Sequence, residues 1–227
     1  MTPAPPTPAS PAPASPTPAS STPTRAAGIT SPVTLTRPTS ETPAQRAASG
    51  AADELFARHG VVPVSMGDVA EHAGLTMLEL TDAYETKQAL VVAVLQRWHG
   101  AWHRALTRIG EDSDDPRDEV LAIFGYLEEC FADESWRGCA FINGHAELGR
   151  QDPVVADLAD EHFRDVERRL TTICTRAGIP AHVARALALL VEGARVESAV
   201  RRSAEPARTA RLAAAMLMSV YEARDDF

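Results

Sequence analysis

His99 and His103 stand four residues apart, a spacing that puts two imidazoles on one helix face within reach of a single metal ion. The neighbouring sequence supplies no third ligand, so the two are read as a solvated pair and no metal is expected. Asn143 and Glu147 repeat the one-turn spacing inside "GCAFINGHAELG", beside Phe141 and His145. A few polar groups among aromatics suit a small organic ligand. Trp98 and Trp102 extend a stripe begun by Val91 and Val94, a pattern that marks a core more often than a ligand box. Lys87, the only lysine of the chain, falls at an expected helix start, where the helix dipole disfavours a cation. Catalytic patterns are missing: there is no Gly-rich phosphate loop, no nucleophile elbow and no credible acid–base pair. Neither enzymatic activity nor a cofactor is expected. Cys130, Cys139 and Cys174 are too few and too scattered for a disulfide framework, and read as small buried apolar residues.

The elements that must position these residues are helices. The chain has 227 residues, 44% hydrophobic, with a formal charge of −9, enough for a globular core but not for non-specific coating of nucleic acid. Residues 1–43 hold 12 of the 17 prolines and the near-repeat "PTPASPAPASPTPAS", and are expected to form a disordered tail of polyproline-II character. Beyond it, apolar residues recur at three- and four-residue spacings and no alternating strand pattern occurs. Helices are expected near 45–59, 65–72, 76–84, 86–109, 116–132, 138–148, 153–177, 180–202 and 206–223. Pro116, Pro153, Pro180 and Pro206 suit first turns, and "RAGIP" stops one helix at Gly178 and restarts the next at Pro180. The fold class is therefore all-α. No stretch approaches the roughly 20 apolar residues of a membrane span, and the N-terminus lacks the features of a signal peptide. A cytoplasmic protein without membrane partners is expected.

One spacing is specific. Val69-Ala70-x-x-Ala73-Gly74-Leu75-x-x-x-x-Leu80 has the grammar of a helix-turn-helix: Ala70 where two helices cross, Gly74 in the turn, Val69, Leu75 and Leu80 in a shared core. Ser65, Thr76 and Thr86 fall at helix starts, with Asp68 and Glu79 as acidic capping-box partners of the first two. The stretch 51–95, "AADELFARHGVVPVSMGDVAEHAGLTMLELTDAYETKQALVVAVL", resembles the N-terminal domain of the tetracycline-repressor (TetR) family of transcriptional regulators. The resemblance rests on Ala51-Ala52, Leu55-Phe56, Gly60, Ser65, Val69-Ala70, Ala73-Gly74-Leu75-Thr76, Leu80, Tyr84, Thr86-Lys87 and Leu90. It covers about 50 residues, and the remainder fits the family's helical effector domain in length and helix count.

The resemblance implies a three-helix DNA-binding domain over 44–90, followed over 91–227 by an antiparallel helical domain that binds an effector and dimerises. It places the second helix of the motif in the major groove of double-stranded operator DNA, with Ser65, Thr81 and Lys87 near phosphates. With Thr76 at the helix start, Met77, Leu78, Thr81 and Asp82 form the exposed reading face: the apolar pair suits thymine methyls and Asp82 a cytosine amine. Ala48 and Ser49 replace larger apolar residues common in the family, so weaker packing of the first helix is expected. Three basic residues against seven acidic ones between Arg46 and Leu95 run contrary to the usual basic footprint. The resemblance favours Trp98, Trp102, Phe124, Phe141, Asn143 and His145 as lining for a small organic effector. Leu187, Leu190, Val191 and Ala194 with Leu212, Met216 and Val220 are the expected homodimer interface. The functional expectation is an effector-responsive regulator of the repressor kind; the alternative is a ligand- or protein-binding module whose acidic head has lost specific DNA binding.

Overall fold

A computed structural model describes residues 41–221. The expected disordered tail lies outside the described residues except at its end, where Thr42 caps and Pro43 opens the first helix. Among the described residues there are nine helices and no strand: α1 (Pro43–His59), α2 (Met66–Ala73), α3 (Met77–Ala83), α4 (Lys87–Asp112), α5 (Pro116–Ala132), α6 (Ala140–Leu148), α7 (Pro153–Arg176), α8 (Ala181–Arg201) and α9 (Glu205–Ser219). None of them is long and apolar enough to cross a membrane.

The helix starts follow local chemistry. Thr42 with Gln45, Ser65 with Asp68, and Thr76 with Glu79 each form a complete capping box. Thr86 accepts from the Ala89 amide at the start of α4. Gly74 takes φ 65°, ψ 30°, the left-handed geometry that lets α2 turn directly into α3.

α4 is the spine, because its apolar residues enter three cores in succession. Leu90 and Val94 join Ala48, Ala52, Val69 and Leu80 in the core of the N-terminal bundle. One residue further round, Val91 and Leu95 meet Phe141 and Leu158 from α6 and α7. Two turns on, Trp102 and Leu106 enter the largest core, shared by α5, α7, α8 and α9. Ala48 and Ser49 are wholly enclosed, so the small side chains that predict weaker packing instead sit at close helix crossings. Glu119, itself buried, ties α5 to α7 through Arg169 and Arg176.

Two expectations are corrected here. Leu187, Val191 and Ala194 face inward and are buried in the protomer's own core, and Leu190 packs half-buried against the same cluster. The outward line of α8 is Leu189, Val196 and Val200, while Leu212 and Met216 on α9, and Val220 just after it, are exposed as expected. Phe124, expected in an effector site, is fully buried in the largest core. Both corrections have one cause: α5 and α8 carry apolar residues on more than one face, and only the neighbouring helices decide which face is enclosed.

Candidate functional site

The helix-turn-helix presents its second helix outward. Leu80 alone on α3 is buried, holding the helix to α1 and α2, while Met77 and Leu78 are 48% and 70% exposed. Thr81 and Asp82 continue that exposed face. A helix with one anchoring residue and a free outer face can enter a groove without unfolding anything.

The hydroxyls on this surface already have work. Ser65 Oγ donates to Asp68 Oδ2 at 2.8 Å and Thr76 Oγ1 to Glu79 Oε2 at 2.8 Å. Thr81 Oγ1 donates back to the Met77 and Leu78 carbonyls of its own helix. These bonds hold the Asp68 and Glu79 carboxyls below the ordinary range, with the backbone amides of Ser65 and Thr76 as the main cause. Two of the seven acidic residues of the head are thereby explained as helix caps. Glu54 is likewise held low by its bond to His72, 3.0 Å away.

Lys87 Nζ donates to the Val62 carbonyl at 3.0 Å, in the connection between α1 and α2. From the opposite side Glu147 Oε2 accepts the amides of Val61 at 2.6 Å and Val62 at 3.0 Å. The connection entering the helix-turn-helix is therefore gripped by α4 at a carbonyl and by α6 at two amides. Partial burial lowers the Lys87 pKa, with the nearby Glu147 charge opposing. Gly60 makes room for the grip: its φ is +82°, and a Cβ there would stand 2.9 Å from Glu147 Oε2. The sequence places Glu147 beside a ligand site but gives no sign of its partners, which lie 85 and 86 residues away.

A cavity of about 350 Å³ opens beside this grip, between α1, α4 and α6. Phe56, Val61, Leu95, Trp98 and Trp136 supply apolar walls; Asp53, Asn143 and Glu147 supply polar points. Trp98 Nε1 donates to Asp53 Oδ1 at 2.7 Å, joining α4 to α1 across the opening. Burial raises the Asp53 carboxyl above its ordinary range, partly offset by that bond. A smaller hollow of about 60 Å³ adjoins it and shares Trp98 and Trp136. Trp102, Phe141, His162 and Arg195 line this second space. Arg195 lies over the Trp102 ring at 4.2 Å, and Trp102 Nε1 is buried without a hydrogen-bond acceptor.

Of the expected effector residues, Trp98 and Asn143 line the larger space, and Trp102 and Phe141 the smaller. Phe124 and His145 line neither; His145 is exposed on the outer side of α6. Trp136, Arg195 and the residues of α1 were not expected at a cavity. Trp136 stands two residues before the quoted "GCAFINGHAELG" segment and could have been picked out as an aromatic close to it; Arg195 gives no such signal. The expected solvated pair is also corrected, since His99 is buried and only His103 is exposed.

No family model matches the sequence, and no curated protein does so. Solved structures do match. A TetR-family transcriptional regulator from Streptomyces coelicolor superposes with a TM-score of 0.73 at 20% identity, covering 79% of this chain and 96% of its own. The reduced form of NemR from E. coli gives 0.68 at 21% identity, covering 76% and 95%. SmeT in complex with triclosan gives 0.67 at 21% identity, covering 79% and 91%. With a capped helix-turn-helix standing on α4 and a helical body behind it, this chain has the fold of the TetR-family transcriptional regulators.

Proposed function

We propose that the protein is a homodimeric transcriptional regulator of the repressor kind. Residues 44–90 read operator DNA, and residues 91–227 bind a small organic effector and dimerise. The observation that carries this reading is the position of Glu147. One carboxylate both lines the cavity and holds the connection that leads into the reading helices. A molecule entering the cavity meets the group that fixes the head. It changes DNA affinity only to the extent that it binds the two head positions unequally.

The reading face is Met77, Leu78, Thr81 and Asp82, with Lys87 and the amino ends of α2 and α4 available to phosphates. Because the Ser65, Thr76 and Thr81 hydroxyl protons and one Lys87 ammonium proton are engaged internally, phosphate contacts fall mainly to backbone amides and to the remaining Lys87 protons. The effector is a mainly apolar molecule: aromatic walls dominate, and Trp102 Nε1 offers an unused donor. The dimer face is the outward line of α8 and α9, namely Leu189, Val196, Val200, Leu212, Met216 and Val220. Its apolar residues are too numerous for a lone solvated surface.

Anisotropy measurements on labelled DNA from the gene's own upstream region, over a salt series, test the proposal. Specific binding that weakens in Leu78→Ala and in Lys87→Ala supports it. Absence of specific binding even at low salt sinks it, and favours a module that binds ligands or proteins without reading DNA.

A further inference from the structure

We propose that the seam between α4 and α7 holds a divalent transition-metal ion of the zinc class, ligated by His99, His103 and Asp165. One donor atom from each residue lies within 4.8 Å of the other two. The two imidazoles come from successive turns of α4, and Asp165 faces them from α7. Asp165 Oδ2 is buried and lies 2.7 Å from His103 Nε2. Its twin Oδ1 is taken by Arg168 at 2.9 Å, which fixes the carboxylate and leaves Oδ2 turned toward the histidines.

The surroundings hold the histidine rings in place. His99 Nδ1 is 3.0 Å from His162 Nδ1. His162 is in turn held by stacking on Phe141, with ring centroids 3.9 Å apart. The charged groups facing the cluster are Asp165 and Arg168, with Arg195 behind His162 at 3.5 Å.

Two imidazoles and one carboxylate suit zinc-class ions and not magnesium or calcium, which demand oxygen ligands. Three protein ligands leave a fourth position to water. With Zn–N bonds of about 2.0 Å, tetrahedral ligands stand about 3.3 Å apart, so the 2.7 Å His103–Asp165 contact must open while the wider separations close. His103, with 46% of its side chain exposed, is free to make that movement and marks the entry path.

The test is calorimetric titration of the full-length, untagged, chelator-stripped chain with Zn²⁺ and, separately, Mg²⁺ near neutral pH. One Zn²⁺ per protomer and no Mg²⁺ uptake are expected. His103→Gln and Asp165→Asn should each weaken Zn²⁺ by at least about tenfold, while His145→Gln, on the exposed side of α6, leaves it unchanged. Circular dichroism checks that the variants fold. Independently of any variant, Co²⁺ bound to the unmodified chain should show the intense visible bands of a low-coordinate site. No saturable Zn²⁺ uptake, uptake that survives both substitutions, or a Co²⁺ spectrum like that of the hydrated ion overturns the proposal.

Discussion

Replacing Glu147 with alanine should loosen the helix-turn-helix without touching it. The carboxylate accepts two backbone amides in the α1–α2 connection, at 2.6 and 3.0 Å. Hydrogen bonds to a charged group are worth about 1.5–3 kcal/mol each, but water can replace one that is exposed. Val62 is exposed, so its amide recovers most of its loss from solvent; Val61 is buried and its amide does not. The net cost is therefore close to one bond, about 2 kcal/mol. For a chain of this size that is a fall in melting temperature of roughly 4–8 °C. Glu147→Gln keeps an acceptor oxygen and should lose about half as much. Thermal melts followed by circular dichroism give the stability, and native-state hydrogen exchange gives the site. The Val61 and Val62 amides should exchange faster in the alanine variant, while amides in α8 keep their ranking. A melt within about 1 °C of the parent, with unchanged exchange at Val61, would refute the grip and the coupling built on it.

Gly60→Ala should destabilise more than Gly74→Ala, by about 1 kcal/mol or more in urea unfolding. Both have positive φ, but only at position 60 does the new Cβ meet a carboxylate, while position 74 faces open space. The caps of α2 and α3 give a pH dependence: the Asp68 and Glu79 pKa values are depressed by the Ser65 and Thr76 amides. Their contribution is present above the ordinary carboxylate range and fades as pH falls through it toward the depressed values. Thr76→Ala should flatten that acid limb in stability measured against pH and cost about 1 kcal/mol at neutrality. Leu187→Ala should cost about 2–5 kcal/mol through a core cavity while leaving assembly intact. Leu212→Glu with Met216→Glu should instead give monomers in sedimentation velocity with little loss of helicity.

What the sequence determines by itself is whatever a few residues can settle among themselves. Ser65 with Asp68, Thr76 with Glu79, Gly74 in its turn and Pro180 after Gly178 act over one turn of chain. They set the helix boundaries and the helix-turn-helix without outside help. Periodicity adds that the helices are amphipathic, and so that they pack. It does not say which of two apolar faces of α8 turns inward, because Leu187 and Leu189 are equally apolar and differ only in what lies opposite. Nor does it bring Glu147 to Val61, Trp98 to Asp53 or Asp165 to His103. Those contacts join residues 45 to 86 positions apart or lie across α4 and α7. They exist because α4 is long enough to pass through three cores, presenting a different neighbour at each. The reading head is therefore written locally. The cavity, its link to that head and the histidine–aspartate cluster are products of tertiary packing.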